Sequence, residues 1–384
     1  MIALTASRLY TPLEVVEQPV VLLEGPRVVD IYSQLEREIS EGARRIDFAD
    51  SILAPGFVDI HIHGGAGHDA MSADAAGLAA IEKLLAAHGV TSYFPTTVTA
   101  PVDQTLAALE RLAAVIEHTQ KSQAGRAEPL GIHLEGPFIS HARRGVHPPQ
   151  NLLPPTLEMF ERFWQASRGH IRIMTIAPEL PGAREVIAEA ARRGVCVSIG
   201  HSDANLNSAQ AAVAAGARHA THAFNAMRPL DHRDPGIMGE VLTDSRLSAD
   251  IIADGIHVDP VVVDLFIKCK GADGAVLITD ATAATGMPDG RYRLGSLEVE
   301  VSNGRCVADG RLAGSVLTMD RAVRNVMEFA HWDLRRTLRL ASLNPAKLTG
   351  VADRGKLEPG GRADLVVLNP AGEVKATIVA GVLP

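Results

Sequence analysis

The stretch Ala54-Pro55-Gly56-Phe57-Val58-Asp59-Ile60-His61-Ile62-His63-Gly64-Gly65 decides how the rest of the chain is read. Its apolar run Phe57–His63 has the length of a buried strand. The run ends at a glycine pair and is followed by the Ala/Leu-rich helical stretch Asp74–His88, which Gly89 stops. With a period of two along a strand, Asp59, His61 and His63 share one face. A His-x-His pair is a weak signal that fits a metal site or a structural pair. Its place at a strand end before two glycines favours the metal.

Working outward, the same alternation recurs. Strand-like runs at Val90–Thr99, Leu130–Glu135, Ile171–Ala177, Val195–Gly200, His219–Phe224, Ser248–Ala253 and Ala275–Thr279 follow. Helical stretches at Val102–Lys121, Thr156–Ser167, Ala183–Arg193, Asn207–Ala217, Pro260–Lys270 and Asp320–Ala330 alternate with them, and a long polar loop follows the sixth strand. Eight strands, most followed by a helix, argue for a parallel sheet closed into a TIM-like (β/α)8 barrel. Tyr292–Val307 reads as a β insertion. Short strands also occupy both ends of the chain, among them Val20–Glu24, Arg27–Tyr32, Asp364–Leu368 and Val374–Val382. The expected organisation is therefore a barrel over residues 54–343 and a small β-sandwich domain built from residues 1–53 and 344–384.

Composition limits the function classes. The 384 residues are 46% hydrophobic and 21% charged, which is globular rather than disordered. A net charge of −8 argues against nucleic acid or anionic membrane as a partner, and no apolar run approaches the roughly 20 residues of a membrane span. Met1–Glu14 lacks a basic segment followed by an apolar one, so no secretion signal is expected. Cys196, Cys269 and Cys306 are odd in number and far apart, which reads as reduced thiols and a cytoplasmic location.

Barrel enzymes keep their chemistry at the C-terminal ends of strands. His61 and His63 stand at such an end, as do Glu135, His201, His222 and Asp280. Each alone has a bland reading (Glu135 as a solvated loop carboxylate, for example), but their joint placement is poorly explained by chance. These side chains suit zinc or another borderline divalent ion. Such an ion activates water, and a neighbouring carboxylate can carry its proton to a leaving amine. Asp280 is the candidate for that carboxylate, being the lone strand-end acid on the closing strand. Asp59 suits the orienting of a ligand histidine. His133 lies one layer deeper and reads as core or supporting.

These residues sit in blocks that resemble the amidohydrolase superfamily and, within it, the N-acetylglucosamine-6-phosphate deacetylase family. Ala54–Gly64 is similar to the superfamily's opening signature. Closer to the deacetylases are His133-Leu134-Glu135-Gly136-Pro137-Phe138, Gly200-His201-Ser202 and Thr221-His222-Ala223-Phe224-Asn225-Ala226-Met227. So are Asp254-Gly255-Ile256-His257, Thr279-Asp280-Ala281-Thr282 and Leu312-Ala313-Gly314-Ser315. The resemblance runs in order from about Ala54 to Asn369. It implies hydrolysis of the acetamide of N-acetylglucosamine 6-phosphate to glucosamine 6-phosphate and acetate.

By the same resemblance, Glu135, His201 and His222 hold one divalent ion, and Asp280 is general base and then acid. His147 polarises the acetyl carbonyl. Asn225, Ala226, Arg233 and His257 contact substrate, the last two facing its phosphate, and Ala313-Gly314-Ser315 closes over it. A homodimer is implied, with His257 supplied by the neighbouring subunit. His61 and His63 leave a second metal site chemically possible, bridged by Glu135, since no lysine lies between Lys121 and Lys268 to bridge instead. One or two ions per subunit are expected, zinc first, with iron, manganese, cobalt or nickel as alternatives.

Competing readings are a deacetylase of the galactosamine epimer, another amidohydrolase acting on a cyclic amide or an N-acyl amino acid, and a non-catalytic relative. The full set of strand-end ligands argues against the last. Gly64-Gly65-Ala66-Gly67 lacks dinucleotide-binding spacing. His141 and His232 lie in polar loops, and Arg143-Arg144 reads as a solvated turn or a phosphate clamp.

Overall fold

The computed structural model describes residues 1–39, 41–119 and 125–383. Eight strand segments ring a central core: Phe57–Ile62, Val90–Pro95, Ile132–Glu135, Ile171–Ile176, Cys196–Ile199, His219–Ala220, Ala249–Ile252 and Ala275–Ile278. The paired neighbours among them run parallel. Where the regular ladders stop, single bonds complete the ring. Thr96 bridges to His133, and Ala220 N–H donates to Ser248 O at 3.0 Å. His63 N–H donates to Ala281 O at 2.8 Å and closes the first strand onto the eighth. The chain is thus a (β/α)8 barrel, as its alternation indicates.

The helices begin where the sequence supplies caps. Asp74, Thr156 and Asn205 each accept a backbone N–H two to three residues into the following helix, and Asp259 does so ahead of Pro260. The helix expected over Val102–Lys121 spans Val102–Thr119, and Lys121 lies outside the described residues. No helix among the described residues is long and apolar enough to cross a membrane.

One expectation is corrected. The segment after the sixth strand, expected as loop, contains a helix at Gly236–Thr243. Gly236 to Leu242 are all buried there, so no polar face marks a helical period. Two further helices, Leu334–Ala341 and Leu343–Leu348, follow Met319–Phe329. Asn344 on the last of them donates to Ala272 O and Ala275 O, both at 2.7 Å, and so ties it to the N-terminal end of the eighth strand.

The two chain ends meet in one seven-stranded sheet. Ile2–Tyr10 runs parallel to Arg44–Pro55, which pairs antiparallel with Leu365–Leu368. Val28 and the return segment exchange bonds, Val28 N–H to Gly361 O at 2.9 Å and Gly360 N–H to Val28 O at 2.8 Å. The sheet therefore folds back over its own core of Leu4, Val21, Leu23, Leu53, Leu365 and Ile378. Arg354 fastens this domain to the barrel, pairing with Glu128 at 3.2 Å and with Asp364 at 3.0 Å. The insertion after the eighth strand is a four-stranded antiparallel sheet, Gly290–Leu294, Leu297–Ser302, Arg305–Ala308 and Arg311–Leu312, standing over the barrel mouth.

Candidate active site

Every strand-end residue singled out in the sequence projects into one buried cluster. His201, His222 and Asp280 stand just past their strands with φ of 47°, 32° and 50°. That left-handed region costs a non-glycine residue on the order of 1–3 kcal/mol. Three such residues side by side mean that the ring turns its strand ends inward against local preference.

Glu135 is the centre, and its two oxygens serve different partners. Oε1 lies 3.2 Å from His201 Nε2 and 3.1 Å from His222 Nε2. Oε2 lies 3.5 Å from His61 Nε2 and 3.3 Å from His63 Nε2. Asp280 Oδ1 closes the first-strand side, 3.5 Å from His61 Nε2 and 3.2 Å from His63 Nε2. Among the described residues, His61, His63 and Asp280 form one compact group of ligand atoms, and Glu135, His147 and His201 form another.

The outer hydrogen bonds fix which atoms carry lone pairs. His63 Nδ1 faces Thr96 O at 3.2 Å and His201 Nδ1 faces Arg143 O at 3.0 Å. A carbonyl only accepts, so both Nδ1 atoms carry a hydrogen, and a neutral ring would point its Nε2 lone pair at carboxylate oxygens. Lone pair against lone pair at such distances demands a positive charge between them. The titration behaviour says the same. Burial opposes charging, yet hydrogen bonds to Asp280 and Glu135 raise His63 to about 10, and Glu135 raises His222 to about 9. Burial also works against ionised Glu135, but the surrounding histidines hold it well below the carboxylate range. Nδ1 of His61 and of His222 is buried with no hydrogen-bond partner, leaving these rings to be oriented through Nε2. The donor set fits a divalent cation.

His147 differs. The Thr99 backbone N–H donates to its Nδ1 at 3.2 Å, so the hydrogen of the neutral ring sits on Nε2, 3.7 Å from Glu135 Oε2. Burial, and next the neighbouring His201, push this imidazole down to about 3. Its Nε2–H thus faces Glu135 and the cavity.

A cavity of about 200 Å³ opens over the cluster, lined by His63, Glu135, His147, His201, His222 and Asp280 together with residues from the insertion and nearby loops. Asn225, Ala226, His257, Ala313 and Gly314 are among the lining. Ser315 is not, because its hydroxyl donates to Thr279 O at 2.6 Å in the buried turn below. Gly314 has φ 61°, and a Cβ there would meet Thr282 Cγ2 at 2.5 Å, so the turn hugs the site only as glycine. Arg233 is exposed on the loop after Arg228 and stands outside the lining. His257 reaches the cavity from its own chain, its Nδ1 held by Asp254 Oδ2 at 2.7 Å.

Asp59 meets His61 through the backbone instead of the ring. Its carboxylate accepts from the Thr279 hydroxyl at 2.5 Å and from the His61 backbone N–H at 3.3 Å, and it holds no histidine ring. Burial raises it to about 6 against those bonds. His133 lies beneath, bonded to Ile60 O at 2.9 Å and Thr175 Oγ1 at 2.8 Å. Sequence reasoning passed over Thr96 and Thr99, and quoted Asp254 within its block without a role. The hydroxyl-rich run Thr96-Thr97-Val98-Thr99 at the second strand end was the available signal.

The amidohydrolase family model matches residues 52–383. The chain belongs to the amidohydrolase family. This amidohydrolase is 37% identical over 367 residues to the N-acetylglucosamine-6-phosphate deacetylase of Lysinibacillus sphaericus, covering 95% of this chain and 93% of that one. It is 39% identical over 334 residues to the N-acetylgalactosamine-6-phosphate deacetylase of Escherichia coli O157:H7, covering 86% and 87%. Among solved structures, an alanine mutant of the Mycobacterium smegmatis N-acetyl-D-glucosamine-6-phosphate deacetylase, in complex with N-acetyl-D-glucosamine-6-phosphate, superimposes with a TM-score of 0.93. Identity there is 35%, over 100% of this chain and 98% of the other.

Proposed function

We propose that this amidohydrolase removes the acetyl group of N-acetylglucosamine 6-phosphate, giving glucosamine 6-phosphate and acetate. The observation that carries the reading is the convergence of the Nε2 atoms of His61, His63, His201 and His222 on Glu135, beside a carboxylate and an Nε2–H donor. Full-length similarity to deacetylases of acetamido sugar phosphates supplies the substrate class.

Glu135, His201 and His222 would hold one divalent ion, with His61, His63 and Asp280 offering a second, weaker place that shares Glu135. Zinc suits the mixture of imidazole and carboxylate. When bound, such an ion makes water more acidic and the amide carbonyl more electrophilic. His147 Nε2–H donates to the acetyl oxygen as negative charge develops on it. Asp280 stands ionised, since burial is outweighed by His61 and His63 and its carboxyl is held down at about 2, and its place beside the cavity makes it the carboxylate positioned to receive a proton. It takes the proton of the attacking water, the water oxygen bonds to the acetyl carbon, and the proton passes to the nitrogen as the C–N bond breaks.

Asn225 and Ala226 line the cavity beside His222 and suit sugar contacts, and His257 suits the phosphate. Arg233, Ala313, Gly314 and Ser315 belong to the same proposal, Ser315 through the turn it anchors. Assembly as a homodimer and a cytoplasmic location complete the reading.

The test is metal analysis of purified protein together with deacetylation assays on the 6-phosphates of N-acetylglucosamine and N-acetylgalactosamine. Faster turnover of the galactosamine compound would move the assignment to the epimer. Metal-free protein, or no acetate from either, would end it. Asp280→Asn should lose more than about 10³-fold in kcat while keeping its tightly held ion.

A further inference from the structure

The sixth and seventh strands part company just where His222 leaves the sheet. Ala220 N–H donates to Ser248 O at 3.0 Å, and in a regular parallel ladder the His222 N–H would next meet Asp250 O. That acceptor is taken instead by Ala223 N–H at 2.9 Å. One extra residue is thus accommodated on the sixth strand, a bulge that coincides with the φ of 32° at His222. The displaced His222 N–H, buried and in need of a partner, is accepted by the Asp250 side-chain oxygen Oδ1.

The other oxygen of Asp250 is fixed as well. Oδ2 lies 2.8 Å from His219 Nε2, with both side chains 0% exposed. His219 Nδ1 lies 2.8 Å from Ser248 Oγ, which in turn donates to Arg218 O at 3.2 Å. The His222 ring has no such anchor, because its own Nδ1 is without a partner. Apart from the Nε2 contacts at the ring's far end with Glu135 and His201, both at 3.1 Å, its direction is therefore set through its backbone.

We infer that Asp250, locked by His219, is the positioning residue for His222. It holds the bulge that aims this ring at Glu135, and neither Asp250 nor His219 lines the cavity. The inference rests on the reading of His222 as a metal ligand. Comparable outer partners of metal ligands are worth roughly 10–100-fold in affinity or activity.

The test uses the zinc-loaded enzyme, with zinc affinity read by chelator competition, kcat and KM by acetate release, and folding by Tm. Asp250→Ala should weaken zinc retention at least about tenfold and lower kcat with little change in KM. Asp250→Asn, which keeps an oxygen for the His222 N–H, should stay within about threefold of wild type. Where Asp250→Ala does not fold, His219→Phe serves, leaving Asp250 unlocked, with a loss of about three- to tenfold expected. Wild-type zinc affinity in the folded Ala or Phe variant would overturn the inference, as would equal losses in Ala and Asn. Wild-type protein that binds no zinc and releases no acetate would instead refute the functional reading, so the two failures are distinguishable.

Discussion

Thr99 grips His147 twice, through its backbone N–H at 3.2 Å and its hydroxyl at 2.8 Å from the same Nδ1. The backbone donor cannot change role, so the tautomer of His147 is dictated by main chain. Gly136 makes the approach possible, since a Cβ there would sit 2.1 Å from Thr99 Oγ1.

His147→Ala should therefore lower kcat by about 10²–10³, the cost of removing a preorganised donor to a developing oxyanion. Metal content should remain at the wild-type ratio. Loss of metal in this variant, measured by elemental analysis, would make His147 a ligand.

The division of Glu135 between two histidine pairs predicts unequal metal sites. Two adjacent divalent ions repel, and among the described residues Glu135 and Asp280 are the carboxylates in the two ligand groups that would offset that repulsion. The double change His61→Gln with His63→Asn should remove at most one ion and leave measurable turnover. His201→Ala should strip the tight ion and the activity together. A metal-free first-strand double variant, seen after dialysis against chelator, would reverse the order of the sites.

Arg233 is exposed and makes no side-chain ion pair among the described residues, which leaves its charge available to an incoming phosphate. Arg233→Ala should raise KM for the phosphorylated sugar about tenfold or more with a smaller change in kcat, as expected when remote binding is lost. The unphosphorylated acetamido sugar should show no such penalty. Equal effects on both substrates would make Arg233 structural.

Glu82 predicts a pH dependence of stability away from the site. It is buried, 3.4 Å from the Tyr93 hydroxyl and 3.1 Å from Arg126. Burial outweighs those partners and raises it from 4.5 to about 7. The folded state then binds more protons than the unfolded one between those values, so Glu82's contribution is full below pH 4.5 and is lost as pH rises through about 7. Glu82→Gln should remove that decline, at about 1.4 kcal/mol per pH unit at most. Tm measured from pH 4.5 to 7.5 checks it, and parallel curves for wild type and variant would exclude Glu82 as the source.

The barrel was legible in the sequence because it is written in local periodicity. Apolar runs such as Phe57–His63 and Ile171–Ala177 alternate with helices whose caps and glycine stops are a few residues away. Placing Glu135, His201, His222 and Asp280 at strand ends needed nothing more than that count. Gly236–Thr243 escaped because a helix buried on all sides has no polar face to mark its period. What local pattern does not contain is distance between strands. Tertiary structure alone decided that each oxygen of Glu135 faces its own histidine pair, that Thr99 sets the proton of His147, that Asp254 holds the His257 ring at the cavity, and that Asp250 supports the backbone of His222 instead of a ladder carbonyl. Each of these relationships joins residues that ring closure brings together, and no spacing along the chain encodes them.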